Sequence, residues 1–468
     1  MRIRPKQAPG QCPRGNKRLC KTMKSLSLLK DSALWSKAFT FGVATSSFQI
    51  EGAVNERALS IWDTFCDKPG AIKDQSTGEV ACEHIERWAD DVELIKSLNV
   101  DSYRLSISWP RVINENGMVN QQGLAFYSQL IKALKETGID VFVTLYHWDL
   151  PQYLEDKGGW LNRDTAYEFE KYTQVVVETL KEDVTAFTTL NEPWCSAYLG
   201  YEAGIHAPGK TGRDNGLVAA HHLLLAHGLA MRVLNTHSPN TENGIVLNFS
   251  PCYPFNDTSE DQKASVLADQ YFNHWYLKPV IDGAYPAIFE SELEATGVVQ
   301  PGDMAIIQQP MDYLGVNYYT RSYFSHDHQS GFVSCPAKDD ELTAMGWEIF
   351  PQGLTDILVD LNNQYSLPPI YITENGAAMD DEIIDGKVED TKRVAYFQSH
   401  LKAVDTAINQ GVDIKGYFAW SLMDNFEWAE GYEKRFGIVY VDFETQKRTI
   451  KQSGLAYSQL LAERKQQQ

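Results

Sequence analysis

Three observations predict a (β/α)8 TIM barrel. Eight short runs are rich in β-branched and aromatic residues, stretches with helical spacing separate them, and no glycine-rich phosphate turn follows an early strand. Eight parallel strands with helices between them is the number that closes a barrel. A doubly wound open sheet, the competing arrangement, normally carries a G-x-G-x-x-G or P-loop turn, and neither sequence occurs. The chain has 468 residues, room for one barrel with insertions, and no Pro/Ser/Gly-rich linker or internal repeat divides it.

In chain order, strands are expected at 39–46 (FTFGVATS), 101–108 (DSYRLSIS), 140–147 (DVFVTLYH), 186–192 (AFTTLNE) and 244–250 (GIVLNFS). Three more follow at 312–319 (DYLGVNYY), 369–375 (PIYITEN) and 414–421 (IKGYFAWS). Amphipathic spacing predicts helices at 84–98, 123–137, 163–181, 219–235 and 393–410. Segments 50–82 and 319–353 are expected as long loops over the end of the barrel where such folds build their sites.

The net charge of −20 argues against partners made of phosphate backbone or anionic lipid, so neither nucleic acid nor membrane is expected and a neutral substrate fits better. Residues 1–22 stand apart: they hold seven Lys or Arg and no acid, and a second methionine, Met23, follows. They are expected to be an appended, disordered basic leader ahead of a single catalytic domain at 23–468. The leader lacks the apolar centre and cleavage site of a secretory signal. Seven cysteines, at 12, 20, 66, 82, 195, 252 and 335, include no C-x-x-C pair, which argues against a disulfide scaffold or zinc site. No run looks like the 18 or more apolar residues of a membrane helix, and a reducing, cytoplasmic location is expected.

Polar and aromatic residues gather where the expected strands end: Gln49 and Glu51, Arg104, His147 with Trp148, Asn191 with Glu192, Asn317 with Tyr319, Glu374, and Trp420. One glutamate ending a strand often does nothing but meet solvent. Two in matched settings, TLNEP at 189–193 and ITENG at 372–376, fall on the same rim of a closed barrel. Cleaving an acetal takes a proton for the leaving oxygen and negative charge facing an oxocarbenium-like carbon, which paired carboxyls supply. A separation of about 5–5.5 Å permits direct attack and retention, whereas about 6.5–9.5 Å leaves room for water and inverts the product.

TLNEP and ITENG, with QIEG at 49–52 and WSLMDNFEW at 420–428, closely resemble glycoside hydrolase family 1, the β-glucosidase family of retaining glycosidases. The resemblance runs from about Phe39 to Tyr457. It implies that Glu192 is the acid/base and Glu374 the nucleophile, with Arg104, Asn317 and Tyr319 supporting them. It also implies a sugar subsite of Gln49, His147, Trp148, Asn191, Trp420, Glu427, Trp428 and Phe436, with Trp347 as an aglycone platform at the entrance. A surface-pairing arginine, a core tyrosine and core-filling tryptophans are the plainer readings of several of these. Glu427 would repel a 6-phosphate, so unphosphorylated glycosides are expected. Retention of Glu192 points to O-glycosides rather than thioglucosides. The expected reaction is release of terminal β-D-glucosyl units, with galactosides and fucosides tolerated, from small β-glycosides and short oligosaccharides. A transglycosylase on the same site and a silent glycan-binding barrel are the alternatives. No metal or organic cofactor is called for, and the oligomeric state is left open.

Overall fold

The computed structural model describes residues 24–467, so the expected leader, with Cys12 and Cys20, lies outside the described residues. Eight parallel strands close into a barrel: β1 (Thr40–Ala44), β2 (Ser102–Ser106), β3 (Asp140–Tyr146), β4 (Ala186–Asn191), β5 (Glu242–Asn248), β6 (Tyr313–Asn317), β7 (Ile370–Asn375) and β8 (Ile414–Trp420). Each pairs with its neighbours in chain order, and β8 returns to β1 with Ala44 opposite Trp420. All eight lie where short β-branched and aromatic runs predict them. β5 begins two residues earlier than expected, because Glu242 and Asn243, polar enough to read as loop, pair with Ala186 and Phe187.

The outer layer includes α1 (His84–Ser97), α2 (Gln121–Glu136), α3 (Asp164–Leu180), α4 (Arg213–His237), α5 (Pro351–Gln364), α6 (Thr391–Asn409) and α7 (Gln452–Gln467). α2 shows why these segments coil. The Asn120 side chain accepts from the Gln122 N–H at the N-terminus, and Leu124, Tyr127, Leu130, Ile131 and Leu134 form one buried stripe at 3- and 4-residue spacing. α4 corrects the reading that no stretch approaches a membrane helix: by length and composition it could cross a bilayer. Its apolar run is broken by His221, His222 and His227, which hid it. All three are buried and bonded, to Tyr285 and Asp303, to the Trp160 carbonyl and to Thr189, and nearly the whole helix is packed inside the protein.

Alternation along the strands sends Tyr313, Gly315 and Asn317 of β6 into the lumen in that order from floor to rim. At the floor Phe142 sits edge-on to Tyr371 and Phe418, with centroids 5.3 and 4.9 Å away, and Tyr313 packs beside them. β1 approaches this plug so closely that a Cβ on Gly42 would lie 2.3 Å from the Phe418 ring. The segment 319–353 is more ordered than a loop: Ser322–Ser325 and Val333–Cys335 form a three-stranded sheet with Cys252–Pro254. A second small sheet joins Val439–Val441 to Arg448–Ile450.

Candidate active site

At the C-terminal rim the pairing loses its regular register where the two glutamates emerge. Shifts fall between Thr188 and Asn191 of β4 and between Ile372 and Glu374 of β7. Such irregularities re-aim side chains at a barrel mouth. Backbone strain gathers here as well, with Trp148, Glu192 and Trp428 all at positive φ (+78°, +46° and +50°). Glu192 and Glu374 are both buried.

One hydrogen-bonded chain joins them. Arg104, from β2, donates Nη1 to Glu374 Oε1 and Nη2 to Asn191 Oδ1, each at 2.7 Å. Asn317, from β6, donates Nδ2 to Asn191 Oδ1 at 3.1 Å and to Glu192 Oε1 at 2.7 Å. Thr373 donates to Asn317 Oδ1 at 2.7 Å, and the Tyr319 hydroxyl donates to Glu374 Oε2 at 2.6 Å.

Because a guanidinium only donates, this chain fixes every proton in turn. The Asn191 atom facing Arg104 must be oxygen, so the Asn317 atom facing that oxygen must be nitrogen. Glu192 Oε1 therefore accepts, and any proton on Glu192 sits on Oε2. On the other side Asn191 Nδ2 donates to His147 Nε2 at 3.1 Å. A neutral His147 then carries its proton on Nδ1, which is buried and has no protein partner. Burial and the nearby Arg104 charge hold the His147 pKa well below its ordinary value, in keeping with a neutral ring.

The two carboxyls are treated in opposite ways. Glu374 has a cation and a phenol on its two oxygens. Glu192 has no cation in hydrogen-bond contact, and burial together with the negative charge of Glu374 pushes its pKa up to about 8. The shift favours the protonated form of Glu192, which stands beside a carboxyl held by arginine. That combination can deliver a proton and present a negative charge at one locus.

Around this pair the side chains suit a flat polyhydroxylated ring. His147 lies nearly parallel to Trp420 and Trp428, at interplanar angles of 13° and 15°. Gln49 is oriented by the Ser46 hydroxyl on its Oε1 and donates Nε2 to Asn425 Oδ1 at 3.0 Å, to the Phe426 carbonyl at 2.8 Å and to Glu427 Oε2 at 3.4 Å. Burial and Glu374 raise the Glu427 pKa to about 8. Trp148 uses its indole N–H on the Asn191 carbonyl at 2.9 Å and packs its ring on Trp428. Phe436 packs against both Tyr319 and Trp347, which also touch each other, and Trp347 is half-buried at the edge of that group.

The model of glycosyl hydrolase family 1 matches residues 32–466. The chain belongs to that family. It is 43% identical to a β-glucosidase from an Agrobacterium species, over 90% of this chain and 94% of that protein. To β-glucosidase A of Thermotoga maritima it is 45% identical, over 91% and 97%. A bifunctional β-D-glucosidase/β-D-fucosidase from Bifidobacterium breve is 42% identical, over 92% and 98%. Among solved structures, the virulence factor SghA with its substrate analog salicin superposes with a TM-score of 0.89 at 43% identity, covering 92% of this chain and 97% of that one.

This family 1 hydrolase is thus a retaining β-glycosidase on a TIM barrel. The structure brings Gln49, Arg104, His147, Trp148, Asn191, Glu192, Asn317, Tyr319, Trp347, Glu374, Trp420, Glu427, Trp428 and Phe436 to one rim. Glu51, which the sequence groups with them, is bound elsewhere: Arg111 Nε and the Tyr127 hydroxyl donate to its two oxygens at 2.8 and 2.6 Å. Sequence reasoning missed Ser46, Thr373 and Asn425, which orient the residues it found. It also missed Cys195, whose Sγ lies 3.1 Å from Glu192 Oε2. The spacing of three residues after Glu192, with a proline between, is the one sequence signal that could have flagged it.

Proposed function

We propose that Glu192 is the acid/base and Glu374 the nucleophile of a β-glucosidase that removes terminal β-D-glucosyl units from small aryl glycosides and short oligosaccharides such as cellobiose. The observation that carries this is the unlike bonding the rim gives two glutamates joined by one Arg104–Asn191–Asn317 chain, with a cation and a phenol on Glu374 and an amide and a thiol on Glu192. Glu374 attacks the anomeric carbon while Glu192 Oε2 gives its proton to the leaving oxygen. Bonding to the sugar then neutralises Glu374, which removes one of the two causes that raise Glu192, so Glu192 becomes acidic enough to act as base toward water.

Arg104 and Tyr319 hold and aim Glu374, and Asn317 holds Glu192. Gln49 and Glu427 read neighbouring hydroxyls of the terminal sugar, and the bare Nδ1–H of His147 takes another. Asn191 faces the 2-hydroxyl. Trp420 and Trp428, backed by Trp148 and Phe436, line the ring, and Trp347 bears on the aglycone. The dual specificity in the name of the Bifidobacterium relative supports tolerance of fucosides, and the salicin complex of SghA supports aryl glycosides. A silent barrel is not favoured, since both carboxyls are present and joined by one hydrogen-bonded chain. We also read 23–468 as one catalytic domain, and the free thiols of Cys66, Cys82, Cys195, Cys252 and Cys335 support a reducing, cytoplasmic location.

NMR of the anomeric proton during early hydrolysis of 4-nitrophenyl β-D-glucopyranoside tests the mechanism. β-Glucose is expected first. If α-glucose precedes it, a water stands between the carboxyls and the assignment of Glu374 as nucleophile is wrong.

A further inference from the structure

Cys195 opens the π-helical turn Cys195–Glu202, three residues after Glu192. Its N–H donates to the Glu192 carbonyl at 2.9 Å, and its Sγ stands 3.1 Å from Glu192 Oε2, with both side chains buried. The other oxygen, Oε1, is committed to the Asn317 amide by the donor chain that begins at Arg104. Thus the oxygen that must carry the proton is the one that faces the thiol.

We propose that Cys195 is a positioning residue for Glu192: its thiol holds Oε2 in place and reverses its hydrogen bond as that oxygen gains and loses the proton. This rests on the reading of Glu192 as acid/base. In the first half-reaction the Oε2 proton moves to the leaving oxygen as the bond from that oxygen to the anomeric carbon breaks, and the S–H then donates to the newly charged Oε2. In the second half, water bonds to the anomeric carbon, Glu374 leaves it as carboxylate, and the water proton returns to Oε2, which turns its hydroxyl toward sulfur again.

A thiol suits this task because sulfur is a weak donor and a weak acceptor. A serine hydroxyl at the same place would compete with the substrate for the proton. Burial and the adjacent Glu192 charge keep the thiol pKa well above its ordinary value, so it stays S–H and can donate. The charged and titratable groups around the pair are Glu374 from β7 and Arg104 from β2 on the Glu192 side. Tyr319 from the segment after β6 and Glu427 from the segment after β8 act there too, Glu427 and Tyr276 from Trp275–Asp282 also interacting with the thiol.

The test uses the full chain with Cys195→Ala and Cys195→Ser. The pH dependence of kcat/KM is read on phenyl β-D-glucopyranoside, and kcat on 2,4-dinitrophenyl β-D-glucopyranoside reports the second half-reaction. Alanine removes a donor to the ionised form, so the alkaline limb should move up by about half a pH unit and kcat on the dinitrophenyl substrate should fall several-fold. Serine, the stronger donor, should move the limb down by a similar amount. Limbs that stay at the parent pH, or that move the same way in both variants, would reduce Cys195 to packing and overturn the proposal. Should the alanine variant lose its near-ultraviolet circular dichroism, the serine variant decides alone: a lowered limb supports the proposal, and an unmoved or raised one ends it. Azide with Glu192→Ala separates the two readings, since a β-glucosyl azide product upholds Glu192 whatever the cysteine variants do. Without that product the acid/base reading itself falls, and the cysteine proposal with it.

Discussion

The ends of β4 and β7 bring the same side chain to the same rim and prepare it for different chemistry. At β7 the carboxylate meets Arg104 on one oxygen and Tyr319 on the other. At β4 the carboxyl meets an amide and a thiol, neutral groups that satisfy hydrogen bonds without contributing charge. Burial is common to both, so burial alone assigns no role. What separates them is the Tyr319 phenol and, above all, the guanidinium of Arg104, which hydrogen-bonds Glu374 directly and is linked to Glu192 through Asn191 and Asn317. Acid and nucleophile are set apart by where one positive charge is placed, which motif spacing cannot show.

The hardest way to break this contrast is Glu374→Ala. Turnover should drop roughly ten-thousand-fold or more, and added azide should restore formation of the α-glucosyl azide. A retained azide product would move the nucleophile elsewhere. Glu192→Ala should slow substrates with poor leaving groups roughly 10²- to 10⁴-fold while barely touching the glycosylation step of 2,4-dinitrophenyl glucoside. Equal loss on both would mean that β4 supplies no proton. Tyr319→Phe removes one of the two groups that distinguish β7 from β4 and should cost about tenfold in kcat/KM. Unchanged kinetics there would leave Arg104 as the sole difference.

The pH profile sharpens the comparison most finely. A carboxyl raised to about 8 is protonated below that pH and lost as an acid above it, so kcat/KM should fall as pH rises through about 8. Glu427 is raised to the same region, so the source of that limb needs its own control. With Glu192→Gln assayed on an activated substrate the limb should vanish. Its persistence would assign it to Glu427.

Much of this was legible beforehand because strand and helix periodicities are local. All eight barrel strands and α1, α2, α3 and α6 lie within a few residues of their predicted spans; Arg104, His147, Asn191, Glu192, Asn317, Tyr319, Glu374 and Trp420 follow from where strands end, while Trp347, Glu427, Trp428 and Phe436 came from the family resemblance. The two small sheets were not legible. Cys252–Pro254 and Val333–Cys335 are three residues long, too short to show alternation, and Cys252 finds its partner Ser322 seventy positions away. Glu51 misled because its neighbour Gln49 does face the rim, while the short helix Ser47–Ile50 turns the next residues toward Arg111. Thr373 and Asn425 act only by orienting another side chain, and orientation leaves no mark on composition or spacing.

The aromatic floor of the lumen has a consequence for traffic. With Phe142, Tyr313, Tyr371 and Phe418 filling the barrel beneath the two glutamates, the cavity behaves as a stack with one open end. The terminal sugar goes in first and the aglycone sits above it. The aglycone must leave before water or another acceptor can come down, and the sugar departs last. Turnover on such a stack is governed by clearance as well as bond breaking. A released glucose slow to leave, or an alcohol waiting at the mouth, competes for the same passage through which the next substrate arrives.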